Sequence, residues 1–222
     1  MSYYQPQPPK IRLVVWVSLA AVLVALLAMG AYFLGRSDGD AAAAGAGPAT
    51  AAGPASPVIS WSIVGRSPVP ASAVHGPRTT EGGRAAGFSH DALGAALAAV
   101  NISYRLASEV GPQVYEATAR EQCYGDITAT VEQIRNSFTT AQPGSTTPSE
   151  YWYKVTSGDP AGDLTLISIA LKTPQSVAFG GYAGLDLTLR WVDGDWRLQV
   201  PHARPSVIPS VSGYTLLGRP NV

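Results

Sequence analysis

Three histidines, one cysteine and a Gly-rich lead-in to a helix carry most of the chemical potential of this chain. His75, His90 and His202 are widely separated, form no His-x-x-x-His pair and do not neighbour Cys123, so no zinc site is expected. A lone cysteine allows no internal disulfide; Cys123 is either a buried small hydrophobe or a bridge between chains. His90 and Asp91 are adjacent at a helix start, and a His with a carboxylate in one pocket can do acid–base work. Adjacent residues there point in different directions, and capping accounts for Asp91. Glu116, Glu121, Asp126 and His202 add no pair supported by spacing. The stretch "HGPRTTEGGRAAGFSHDALGAALAA", His75 to Ala99, invites comparison with a phosphate-binding loop at a helix N-terminus. It lacks the Gly-Lys-Ser/Thr ending, and no strand leads into it. No catalytic residue, cofactor or metal is expected, and the chain reads as a non-enzyme. Arg190 and Arg197 are the candidate contacts for an anion or an acidic partner surface.

The elements that position these residues follow from periodicity. Leu93, Leu97, Val100 and Tyr104 form one helical stripe behind a Ser89 or Asp91 cap. Gly94 and Ala98 form a small-residue pair beside it, and Gly94 costs helix propensity that close packing would compensate. Gln113–Gln122 and Asp126–Phe138 predict two further helices. Period-two alternation then predicts strands over Tyr151–Thr156, Leu164–Leu171, Tyr182–Val192 and Trp196–Val200. Asp193-Gly194 is the strongest hairpin signal. It sets Trp191 opposite Trp196, Leu189 opposite Leu198 and Arg190 opposite Arg197. Phe88, Leu93, Gly94, Leu97, Ala98, Trp191 and Trp196 are the candidate packing or interface residues. Three helices followed by a four-stranded antiparallel sheet predict an α+β fold, with a nuclear transport factor 2-like cone as the favoured arrangement.

Residues 13–34, "LVVWVSLAAVLVALLAMGAYFL", contain no charge and are long enough to cross a bilayer. Lys10 and Arg12 precede them, which predicts a cytoplasmic tail at residues 1–12 and a domain outside the cell membrane. That places the Gly-rich stretch away from cytoplasmic nucleotide. A cleaved signal peptide is the competing reading. Residues 35–57 are an Ala/Gly/Pro linker without a core. Residues 58–222 form one domain, with an extended wrap at 58–88 and a tail at 202–222. Charged residues are only 14% of the chain, below the roughly 25% of soluble domains. Formal charge is balanced, so no attraction to nucleic acid follows.

"GFSHDALGAALAAVN" at 87–101, "GPQVYEAT" at 111–118 and "LRWVDGDWRLQVP" at 189–201 resemble single-pass membrane proteins of actinobacterial conjugative elements. In layout these are similar to the bitopic, VirB-type assembly subunit of type IV secretion systems. The resemblance implies a scaffold of a DNA-transfer apparatus, with envelope or secretion subunits as partners, a possible homo-oligomer and no catalytic residues. The Mce-associated proteins of lipid import share the layout and give the alternative, together with a small-ligand-binding domain. The two readings separate on structure. A scaffold calls for an interior filled by side chains and an exposed apolar patch. A binder calls for an apolar cavity with a few polar groups, and an open cavity holding both a His and a carboxylate counts against a scaffold.

Overall fold

Asp91 starts the first helix by accepting the Gly94 N–H on its carboxylate at 2.7 Å, a bond that satisfies one of the orphan donors of a helix start. The computed structural model describes residues 57–137, 144 and 146–221. Helix α1 spans Ala92–Arg105, and eleven of its 14 residues are buried. A helix apolar on nearly every side is enclosed rather than amphipathic. Ala95, Ala96, Ala98 and Ala99 are fully buried, and their small side chains let neighbours approach from several directions.

One of those neighbours is a hairpin of β1 (Ser60–Val64) and β2 (Ser67–Ala71). Asn101 of α1 donates to the Pro70 carbonyl at 2.8 Å, and the Tyr151 hydroxyl donates to that of Pro68. Trp61 packs on Tyr151 with ring centroids 5.0 Å apart. The other neighbour is a mixed sheet of seven strands. After α1 come α2 (Pro112–Gln122), β3 (Cys123–Gly125) and α3 (Ile127–Arg135). Then follow β4 (Glu150–Gly158), β5 (Leu164–Lys172), the short helix α4 (Pro174–Ala178), β6 (Tyr182–Val192) and β7 (Asp195–Val200). Strands β8 (Ser206–Ile208) and β9 (Thr215–Gly218) complete the chain. The sheet order is β3-β7-β6-β5-β4-β9, with β8 beside β6 at the end that β7 leaves free. Only β3 against β7 is parallel.

Register assigns the faces. Tyr151, Ile167, Ile169, Leu187, Leu189, Trp196, Leu198 and Val200 are all buried. They sit at aligned cross-strand positions, so they share the face under α1.

The expected fold needs correction. The chain does not form the nuclear transport factor 2-like cone of three helices and four antiparallel strands; it forms a seven-stranded mixed sheet and a separate hairpin. Four strand assignments were missing, plus the edge strand at β9. The β2 segment "SPVPA" carries two prolines, which argue against a strand except at an edge. Strands β3 and β8 have three residues each, too few to show alternation. The expected membrane helix is also uncorroborated: no helix among the described residues is long and apolar enough to cross a membrane. Residues 13–34, most of the linker and Phe138 lie outside the described residues.

Candidate functional site

The Gly-rich stretch folds into a clasp around the β6–β7 turn. Asp193 and Gly194 both have positive φ, 54° and 83°, the pattern of a type I′ hairpin. The turn projects Asp195, whose carboxylate accepts the N–H of Gly87 at 2.7 Å and of Phe88 at 3.2 Å. Trp196 donates its indole N–H to the Ser89 carbonyl at 2.9 Å. His90 stacks flat on Trp191, with centroids 4.0 Å apart and planes 3° apart. Phe88, Leu93, Leu97, Ala98 and Trp196 are buried, and Trp191 is half-buried against this core. These candidate interface residues therefore pack within the chain. Gly94 does too: a Cβ there would lie 2.1 Å from the Ser89 carbonyl oxygen.

His75 joins the clasp, a pairing that sequence spacing did not expose. Its Nδ1 lies 2.9 Å from Asp91 Oδ2 and 3.1 Å from Ser89 Oγ. The residue types suggest a Ser-His-Asp relay, but the geometry denies one. A relay sets the carboxylate on one ring nitrogen and the hydroxyl on the other, whereas here both crowd the same nitrogen. Burial works against ionisation of Asp91, but bonds from Gly94, Ser89 and His75 outweigh it and hold the carboxyl below its ordinary 3.8. Glu150 is likewise held below 4.5: burial opposes, and Trp152, Lys172 and Arg219 prevail. Both groups stabilise the fold above their ordinary values, and that stabilisation is lost as pH falls through the lowered folded ones. The unfolding temperature is thus expected to be flat from neutral pH to about 5 and to fall below it. Asp91→Asn, which keeps a good cap, should make the fall shallower in thermal melts across pH.

The two arginines also have partners within the chain. They face each other across β6 and β7. Arg197 donates to Asp193 at 2.8 Å, and the Arg190 guanidinium sits 5.0 Å from the Tyr124 ring centre. Those contacts relieve the like-charge opposition. A polar hollow of about 280 Å³ beside Arg197 includes Glu81, Arg84, Glu121 and Asp195, and Arg84 is bound to Glu121. Cys123 is buried, and burial pushes its thiol up to about 12, which disfavours the thiolate form that nucleophilic chemistry needs.

A larger, apolar cleft of about 400 Å³ opens between the C-terminal half of α1 and strands β5 and β6. Val100 and Tyr104 form one wall, and Ile169, Leu171, Leu185 and Leu187 form the other. Among its polar lining residues are Glu109, Gln175 and His202. The volume falls within the range of small-molecule sites. Tyr104 was legible as the last residue of the helical stripe, and the leucines as one face of β6. Their convergence was not legible, because periodicity does not say how closely α1 packs on each strand of the sheet. His and carboxylate both line this cleft without touching: Glu109 accepts the Arg66 N–H at 3.3 Å, and His202 Nδ1 meets the Ala203 carbonyl at 2.9 Å. Among the described residues, no group of three His, Cys, Asp or Glu could hold a metal ion.

No curated protein and no solved structure matches the chain. A family profile described as a domain of unknown function, DUF8175, matches residues 35–216. That match takes in the linker, the clasp, both walls of the cleft and the first half of the final strand, and the chain belongs to this family.

Proposed function

We propose that this protein is a membrane-attached, non-enzymatic binding protein that holds an apolar ligand in the cleft between α1 and the β5–β6 face. The cleft itself carries the reading. A core ordinarily closes over its apolar surface, yet Leu185 stays only partly buried beside a hollow of about 400 Å³. Attachment rests on the uncharged segment 13–34. At His75 the carboxylate and the hydroxyl share one ring nitrogen, which supports a structural role for that cluster over a catalytic one.

The assembly reading, a component of a conjugation-type apparatus, keeps one observation on its side: Val177, Phe179 and Val207 are exposed by 53%, 69% and 51%. Crosslinking in native membranes that recovers secretion subunits through these residues would favour it. The binding reading is tested with Leu185→Trp in the full chain, held in phosphatidylcholine nanodiscs and exposed to a long-chain alkyl diazirine. The indole fills the cleft, so photolabelling of the folded domain should fall roughly tenfold. The unfolding temperature should stay within about 2 °C, because the site is half-open and can accept volume. Undiminished labelling of a folded variant would remove the cleft as the binding site.

A further inference from the structure

We infer that the ligand is a membrane lipid whose acyl chain enters the cleft and whose head is uncharged and bears hydroxyls. The inference rests on the binding reading above and adds the ligand's chemistry. Its first ground is charge. Among the described residues, the cleft lining contains Glu109 and no Lys or Arg. A fatty-acid carboxylate or a phosphate seated there would meet a like charge with no cation to offset its desolvation. An uncharged hydroxyl head meets the opposite situation. Glu109 can accept its O–H, and His202, with Nδ1 held by Ala203, keeps Nε2 for a second bond.

The second ground is the shape of the opening. Ala183 lines the cleft and pairs with Val207 of β8, so Val207 extends the same apolar face outward. Gln175 lines the cleft from α4. Phe179 follows it by one helical turn, its N–H bonded to the Gln175 carbonyl at 3.3 Å. A Cβ on Gly181 would lie 3.2 Å from Val207, which brings the α4 end and β8 together. Val207 thus continues the apolar face of the cleft to the surface, with Phe179 exposed at the neighbouring end of α4.

The third ground is in the sequence: the same chain carries the uncharged segment 13–34, long enough to cross a bilayer, so membrane lipid is the apolar ligand available to it.

The test uses the full chain in phosphatidylcholine nanodiscs, with the alkyl diazirine as reporter and two competitors. One is a monoacylglycerol; the other is the fatty acid of the same chain, at a pH where it is ionised. The monoacylglycerol should displace cleft labelling at a concentration at least about tenfold lower than the fatty acid. Glu109→Gln should narrow that gap, since it removes the like charge. Equal or better competition by the fatty acid would overturn the inference. So would failure of both competitors, or displacement by an apolar peptide alone. In each of those cases, labelling of the cleft by the alkyl probe would still support the binding reading. Loss of that labelling would overturn both.

Discussion

Trp196→Ala is expected to destabilise the domain by about 4 kcal/mol. That corresponds to a fall in unfolding temperature of roughly 10 °C for a domain of this length. Trp196 is 1% exposed. It carries the largest fully buried side chain, and its removal leaves a cavity that neighbouring strands cannot close. The substitution also orphans the Ser89 carbonyl, a partly buried acceptor of the indole N–H at 2.9 Å, which adds a smaller cost of its own. Trp191 makes the instructive contrast. It pairs with Trp196 across the hairpin but is only half-buried, and its indole N–H has no acceptor among the described residues. Trp191→Ala should cost about 1 kcal/mol, mostly from the lost edge contact with Trp196 and the stack on His90. Circular dichroism melts of the two variants check the difference; equal losses would mean that the clasp does not depend on the indole bond.

Gly94→Ala should destabilise by about 2–3 kcal/mol, where helix propensity alone predicts a gain of about 1 kcal/mol. The sign is decided by one contact. A Cβ at Gly94 would lie 2.1 Å from the Ser89 carbonyl oxygen and 2.5 Å from its hydroxyl. The obstacle is backbone, so it cannot rotate away; the loop itself must move. Movement there pulls Ser89 from the Trp196 indole, and Ser89 and Asp91 from His75. The loss should therefore be non-additive with that of Trp196→Ala, since both break the same clasp. A double-mutant cycle on thermal or denaturant unfolding reads this directly. A stabilised Gly94→Ala variant would show that the loop is held elsewhere.

The tryptophan hairpin was legible to the residue. Asp-Gly fixes the turn, the turn fixes the register, and the register places Trp191, Leu189 and Arg190 against their partners. The cap at Asp91 was legible for the same local reason. Long-range pairings were not. Nothing in the spacing of His75, Ser89 and Asp91 says that 14 residues of loop fold back to bring them together, because the loop is organised by Asp195, over 100 residues away. The parallel β3 was hidden because it continues from α2 without a breaker, its geometry set by pairing with β7. The cleft was hidden for a different reason. Alternation tells which side chains of β5 and β6 face inward, but not where a hollow remains between them and the covering helix. The single-stripe reading of α1 also underestimated its burial, since alanine on several sides records close neighbours rather than a solvent face.

The central claim is that the cleft between α1 and the β5–β6 face takes up an apolar chain. Its most direct measurement is the location of alkyl-diazirine adducts on the full chain in phosphatidylcholine nanodiscs, mapped by peptide mass spectrometry. Adducts within the folded domain should concentrate on the cleft residues of α1, β5 and β6, above all Tyr104, Leu171 and Leu185, and disappear in Leu185→Trp. Adducts confined to residues 13–34, or scattered over the exposed Val177, Phe179 and Val207 without reaching the cleft, would contradict the account.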